Sequence, residues 1–158
     1  MMYWYCHRTI IGPISITATS TGITRLDFSD GPVTDGTANE EASLIREAFS
    51  QVESYLAGNL KKFDLPLEMH GTDFQKEVWN ALLSIPYGST ASYKDVALMI
   101  GNIKAVRAVG MANNRNPIAI IVPCHRVIGS DGSLVGYAGG MELKRTLLEI
   151  ESPQGKLF

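Results

Sequence analysis

The chain has 158 residues, 45% hydrophobic and 19% charged, a composition that suits one globular domain or two small ones and excludes an intrinsically disordered chain. Its net charge of −2 argues against a uniformly basic nucleic-acid binder. No apolar run reaches the roughly 18 residues needed to span a bilayer, and the start MMYWYCHRTIIG lacks a secretory pattern, so a cytoplasmic protein with reduced Cys6 and Cys124 is expected.

The charge is uneven. Residues 1–70 hold 5 Lys and Arg against 9 Asp and Glu, whereas residues 75–126 hold 6 against 2. A basic segment of that kind can meet phosphates on an otherwise acidic chain.

The first third reads as β structure. YWYCHRTI, ISITATS and ITRLDFS are β-branched and aromatic runs separated by Gly12-Pro13 and Thr21-Gly22. DGPVTDGTANEE reads as a loop into a helix over roughly 40–57, with Leu44, Ala48, Val52 and Leu56 on one stripe. GNLKKFDLPLEMHG reads as a connector with a short extended piece, which places a boundary near residue 70.

Beyond it, Thr72 and Gln75 have capping-box spacing, so a helix is expected from there, with Phe74, Val78 and Leu82 on one face and Pro86-Tyr87-Gly88 after its end. Ser92 with Asp95 caps a second helix, which Gly101 ends; Asn102 can cap a third, IKAVRAVGMA. Two short helices joined at Gly101-Asn102 make a candidate helix-turn-helix. Helical rotation puts Ile103, Val106 and Gly110 on one side of the third helix and Lys104, Arg107, Ala108 and Met111 on the other. That second face is either an approach to a phosphate backbone or an ordinary solvated surface.

Ile118–Val122 is an apolar run of strand length ended by Pro123, which would deliver Cys124 at a strand end. Taken alone, a cysteine there is more often a small buried hydrophobe than a nucleophile. His125 offers a base and Arg126 a positive field that would favour thiolate. Neighbouring side chains of an extended segment diverge, so a water would carry the proton between Cys124 and His125.

A histidine base needs an orienting acceptor. In the last helix, MELKRTLLEIE, Leu143, Leu147 and Ile150 form the inward stripe and Glu149 can pair with Arg145 outside. Glu151 falls inside the apolar arc, where a carboxylate needs a partner unless the helix end frays into water. Asn116, held extended by Pro117, can donate and accept at once and so tie two backbone segments together, or merely serve a turn. GYAGG, 136–140, is a turn or a pocket wall. The few Cys and His residues are badly spaced for zinc, and no phosphate loop is present.

PCHRVIG, YGSTASYKDVA, KAVRAVGMANNRNP and GYAGGMELKRTLLEIE, set together, resemble the O6-alkylguanine-DNA alkyltransferases over Thr72 to Glu151. The resemblance implies an α+β fold: a small ribonuclease-H-like β-sheet domain, 1–70, and a mostly helical domain, 71–158, that contains a helix-turn-helix. It implies that Cys124 accepts the alkyl group of O6-alkylguanine, and of O4-alkylthymine, irreversibly, one lesion per molecule. His125 is then the base acting through water, Glu151 its orienting carboxylate, Tyr93 the group that helps protonate the departing guanine, and Asn116 the hinge. Arg107 is the finger that replaces the flipped base, with Lys104, Ala108, Tyr93 and Arg115 beside DNA. Val127, Tyr137, Ala138 and Gly139 line the pocket. The partner implied is double-stranded DNA carrying an alkylated guanine, met through the minor groove by a monomer, with no cofactor, no metal and no membrane. A Cys-His-Glu hydrolase is the competing reading, and a non-catalytic DNA-binding module the third.

Overall fold

Gly12 adopts φ +102°, open to glycine and strained for other residues, and there the chain folds β1 (Met2–Thr9) back onto β2 (Gly12–Ala18). The structure is a computed structural model that describes residues 1–31 and 36–152. It divides into two units, Met1–His70 and Gly71–Phe158.

In the first unit β3 (Ile23–Asp27) pairs antiparallel with β2, and a three-residue β4 (Thr37–Asn39) pairs parallel with β1, giving the order β3-β2-β1-β4. β4 lies inside the stretch expected to be a loop, whose middle, 32–35, lies outside the described residues. The helix α1 (Ser43–Leu56) starts three residues later than its pattern suggests and buries Ile45, Ala48, Phe49, Val52, Tyr55 and Leu56. It packs on β1, β2 and β3. β2 is buried on both faces, Ile14, Ile16 and Ala18 on one and Ser15 and Thr17 on the other. On the polar side Ser15 Oγ donates to Ser29 O at 2.8 Å, and Thr24 Oγ1 of β3 donates to the Thr17 carbonyl at 3.2 Å.

In the second unit, α2 (Asp73–Leu83) begins with both halves of the capping box: Gln75 N donates to Thr72 Oγ1, and Thr72 N to Gln75 Oε1. Trp79 bolts it to the next helices by donating to Ala112 O at 2.8 Å. α3 (Tyr93–Met99) has the same box between Ser92 and Asp95. Gly101, at φ +71°, turns the chain toward a short 3-10 turn, Ile103–Ala105, and α4 (Val106–Asn114).

Two expectations fail here. Asn102 makes no side-chain cap, and the α-helix begins only at Val106. The three-residue turn resets the helical phase, so Val109, Ala112 and Asn113 face inward while Ile103 and Val106, expected inside, are exposed. Lys104, Arg107, Ala108 and Met111 are exposed, as their outward placement requires.

Ile118–Val122 is not a strand. The run is a series of turns, with Val122 N donating to Ile118 O at 3.0 Å, Ile121 N to Ala119 O at 2.8 Å, and Ile120 at φ +71°. An apolar run of this length looks the same whether it is a strand or a buried turn, and local bonds decided it. A two-residue parallel pair, β5 (Ala91–Ser92) with β6 (Val127–Ile128), then brings the start of α3 beside the cysteine turn. The last helix is α5 (Met141–Glu151), whose buried residues are Lys144, Leu147, Leu148 and Glu151. Leu143 and Ile150 are only half-buried, and Arg145 and Glu149 make no ion pair among the described residues. No helix among the described residues is long and apolar enough to cross a membrane.

Candidate active site

Cys124 opens a single 3-10 turn, Cys124–Arg126, and is 5% exposed. The turn is held from behind by Asn116, whose Nδ2 donates to Val122 O at 2.8 Å while its Oδ1 accepts from Ile118 N at 3.0 Å. One side chain therefore ties the end of α4 to the segment that carries the cysteine. Burial pushes the Cys124 thiol up to about 11; the Asn116 amide and the positive charge of Lys144 pull the other way. At neutral pH only roughly one protein in 10⁴ then carries a thiolate, so a base must take the proton as the reaction proceeds.

His125 is fully buried, and its Nε2 donates to Glu151 Oε2 at 2.7 Å. With Nε2 committed to the carboxylate, Nδ1 is the basic nitrogen. Burial pulls the ring below the usual histidine range even though Glu151 opposes it, which keeps it neutral and able to accept a proton at pH 7. The sign for stability follows. Below the ordinary histidine value near 6.5, the unfolded chain takes up a proton that the folded one resists, so stability falls as pH drops through that point. Thermal melting should therefore decline between about pH 7 and pH 5, above the range where ordinary carboxylates titrate. A flat melting temperature across that interval would contradict a buried, neutral His125.

Arg126 is not the source of the field on Cys124. Its Nε donates to Glu151 Oε1 at 2.8 Å, its Nη2 to Oε2 at 3.0 Å and its Nη1 to Ile85 O at 2.6 Å. Glu151 thus gathers His125, Arg126 and the Gly88 N–H at 3.3 Å in a buried cluster, over which Tyr87 lies with its ring 5.8 Å from the guanidinium. The fraying alternative for Glu151 is gone, since its side chain is 1% exposed.

Tyr93, the first residue of α3, is stationed by the β5–β6 pair and donates its hydroxyl to Val135 O at 3.2 Å. Burial first, and the neighbouring Cys124 second, raise its pKa above the usual tyrosine value, so it stays a neutral O–H donor. Val127 is buried; Tyr137 and Gly139 are half-buried and Ala138 is exposed in the loop before α5. An open cleft of about 350 Å³ lies along the β5–β6 edge, lined by residues including Ser92, Lys94, Ile128 and Ser130 but by none of those four. Arg107, Lys104, Ala108 and Arg115 sit on exposed positions of α4 and its flanks.

Sequence reasoning missed Lys144. It is 0% exposed, and its Nζ donates to Val127 O at 2.6 Å, Val135 O at 2.7 Å and Gly136 O at 3.3 Å. The one available signal was its place on the inward arc of α5, between Leu147 and Leu148 by helical rotation, which an ordinary surface lysine would avoid.

The turn also bears on the hydrolase reading. Oxyanion holes need free backbone donors. Here Cys124 N donates to Val122 O, Arg126 N to Pro123 O and Val127 N to Cys124 O, so these donors are used locally.

A buried cysteine with a His-Glu pair, carried just after a two-helix motif, is the make-up of a cysteine acceptor on a DNA-binding scaffold. The profile of the 6-O-methylguanine DNA methyltransferase DNA binding domain matches residues 73–153, and that of the family's ribonuclease-like domain matches residues 2–69. The chain belongs to the 6-O-methylguanine DNA methyltransferase family. It is 51% identical over 155 residues to a methylated-DNA–protein-cysteine methyltransferase of Methanosarcina barkeri, covering 95% of this chain and 97% of the relative. One from Mycobacterium leprae is 48% identical over 91% of this chain and 88% of its own. A crystal structure of Mycobacterium tuberculosis OGT in complex with DNA superposes with a TM-score of 0.89 at 44% identity, over 97% of this chain and 96% of that one. These relatives give the α+β fold, DNA as partner and alkyl transfer to cysteine, and lend the hydrolase alternative no support.

Proposed function

We propose that Cys124 is the acceptor and that the substrate is an O6-alkylguanine flipped out of duplex DNA. The observation that carries this reading is the buried Cys124 on its Asn116-held turn, next in chain to a His125 whose Nε2 meets Glu151 at 2.7 Å. His125 takes the thiol proton through a water. The sulfur attacks the alkyl carbon, the carbon–oxygen bond breaks, and its electron pair leaves on guanine O6. Tyr93, a neutral donor, returns a proton to the departing base. A thioether has no leaving group that water displaces under mild conditions, so each molecule acts once. Val127, Tyr137, Ala138 and Gly139 border the base. The exposed face of α4, with Lys104, Arg107 and Ala108, approaches the minor groove, where base identity is poorly read, which suits a protein that searches for damage rather than sequence. The protein acts as a monomer without metal or cofactor. Incubation with a duplex carrying O6-methylguanine, followed by peptide mass analysis, tests the reading: the methyl group must appear on Cys124.

Arg107 is exposed on α4, and on this reading it fills the gap that the flipped base leaves. Extruding a base costs a few kcal/mol. Arg107→Ala should therefore slow repair of methylated duplex at least about tenfold, since 1.4 kcal/mol of that cost is a factor of ten, and spare reaction with free O6-benzylguanine. Equal losses on both substrates would remove Arg107 from the flipping step.

A further inference from the structure

Lys144 is a buried cation with no carboxylate beside it among the described residues. A buried charge without a counter-ion is costly, and function is a common reason for retaining one. Its three acceptors come from two places: Val127 O belongs to the residue that caps the cysteine turn, and Val135 O and Gly136 O belong to the loop before α5. Val135 O also accepts from Tyr93, so the lysine and the tyrosine hold the same carbonyl. The charge of Lys144 reaches Cys124 and His125, and the nearby carboxylate Glu151 is already matched by Arg126 and His125. Among the described residues, the anion left for Lys144 to serve is the Cys124 thiolate.

We propose that Lys144 is a positioning residue for alkyl transfer: it pins the pocket loop to the cysteine turn and supplies the positive charge that stabilises the Cys124 thiolate. Its own proton does not move; the thiol proton goes to His125. Burial brings the ammonium down to about 8, with the Cys124 charge holding it up, so Lys144 is charged at neutral pH and loses its charge in mild alkali. The proposal rests on Cys124 being the acceptor.

The test compares the native protein with Lys144→Met, which keeps length and bulk without charge, and Lys144→Gln, which keeps donors. Rates of Cys124 benzylation by free O6-benzylguanine are read at pH 7 and at about pH 9.5, with melting curves for each protein. At pH 7 the neutral variants should be slower by about tenfold, one unit of thiol acidity. At the alkaline pH, where native Lys144 is itself uncharged, the rates should converge. A purely structural lysine predicts the same ratio at both pH values, and that result overturns the proposal, as does failure of both variants to fold. If the native protein itself leaves Cys124 unmodified by methylated duplex, it is the acceptor assignment that falls.

Discussion

Glu151→Ala is expected to destabilise the second unit by about 3–5 kcal/mol and to abolish alkyl transfer. The carboxylate, 1% exposed, accepts from His125, from two nitrogens of Arg126 and from Gly88. Its removal leaves a buried guanidinium with, among the described residues, only Ile85 O and the Tyr87 ring as partners, and it frees the imidazole to rotate. A domain stable by 5–15 kcal/mol cannot absorb that loss without a large fall in melting temperature. Glu151→Gln separates the two roles. It keeps the volume and one acceptor, so it should fold better than the alanine variant, yet it gives the imidazolium formed during reaction no anion. Denaturant unfolding and single-turnover repair rates read both effects. A loss below about 1 kcal/mol for Glu151→Ala, the range of an exposed pair, would show that the cluster is not the closed ion network its distances indicate.

Repair should plateau at one methyl per protein molecule, with Cys124→Ser taking up none. The expectation is chemical, because neither His125 nor Glu151 offers the new thioether a route to cleavage. It also has a structural side. Cys124 is 5% exposed beneath a turn that Asn116 and Lys144 hold in place, so the added methyl must find room in packed surroundings. Overpacking of that order costs about 1–3 kcal/mol, so the methylated form should melt at a lower temperature than the parent. Titration of methylated duplex against a fixed amount of protein, followed by melting of the product, checks both. Several methyl groups removed per molecule, with Cys124 recovered free, would show a true catalyst and refute the acceptor chemistry.

On the proposed reading, a thiol that burial pushes up to about 11 is quiet at rest and reacts only when activated. A resting thiol does not scavenge stray electrophiles, and it becomes a nucleophile when a base and a positive charge act together on it. That division of labour places activation in His125 and Lys144 instead of in a permanently ionised cysteine.

Much of this molecule is written locally. The capping boxes at Thr72 and Ser92 are readable because their bonds join residues three apart, and the β runs of the first unit are readable because side-chain shape and the glycine turns act on near neighbours. The inward position of Glu151 follows from helical rotation alone. Tertiary structure decided whatever depends on which distant group satisfies a buried polar atom. Arg126 looked like a field for Cys124 and became the partner of Glu151, 25 residues away. Lys144, which the sequence did not single out, was drawn inside by three carbonyls, none of them within seven residues. Ile118–Val122 is the exception: it looked like a strand, and bonds that span six residues or fewer, from Asn116 and within the run, folded it into a buried turn. Helix and strand propensity is a property of neighbouring residues, whereas the pairing of buried charges and donors is a property of the assembled chain, and that pairing sets the chemistry of Cys124.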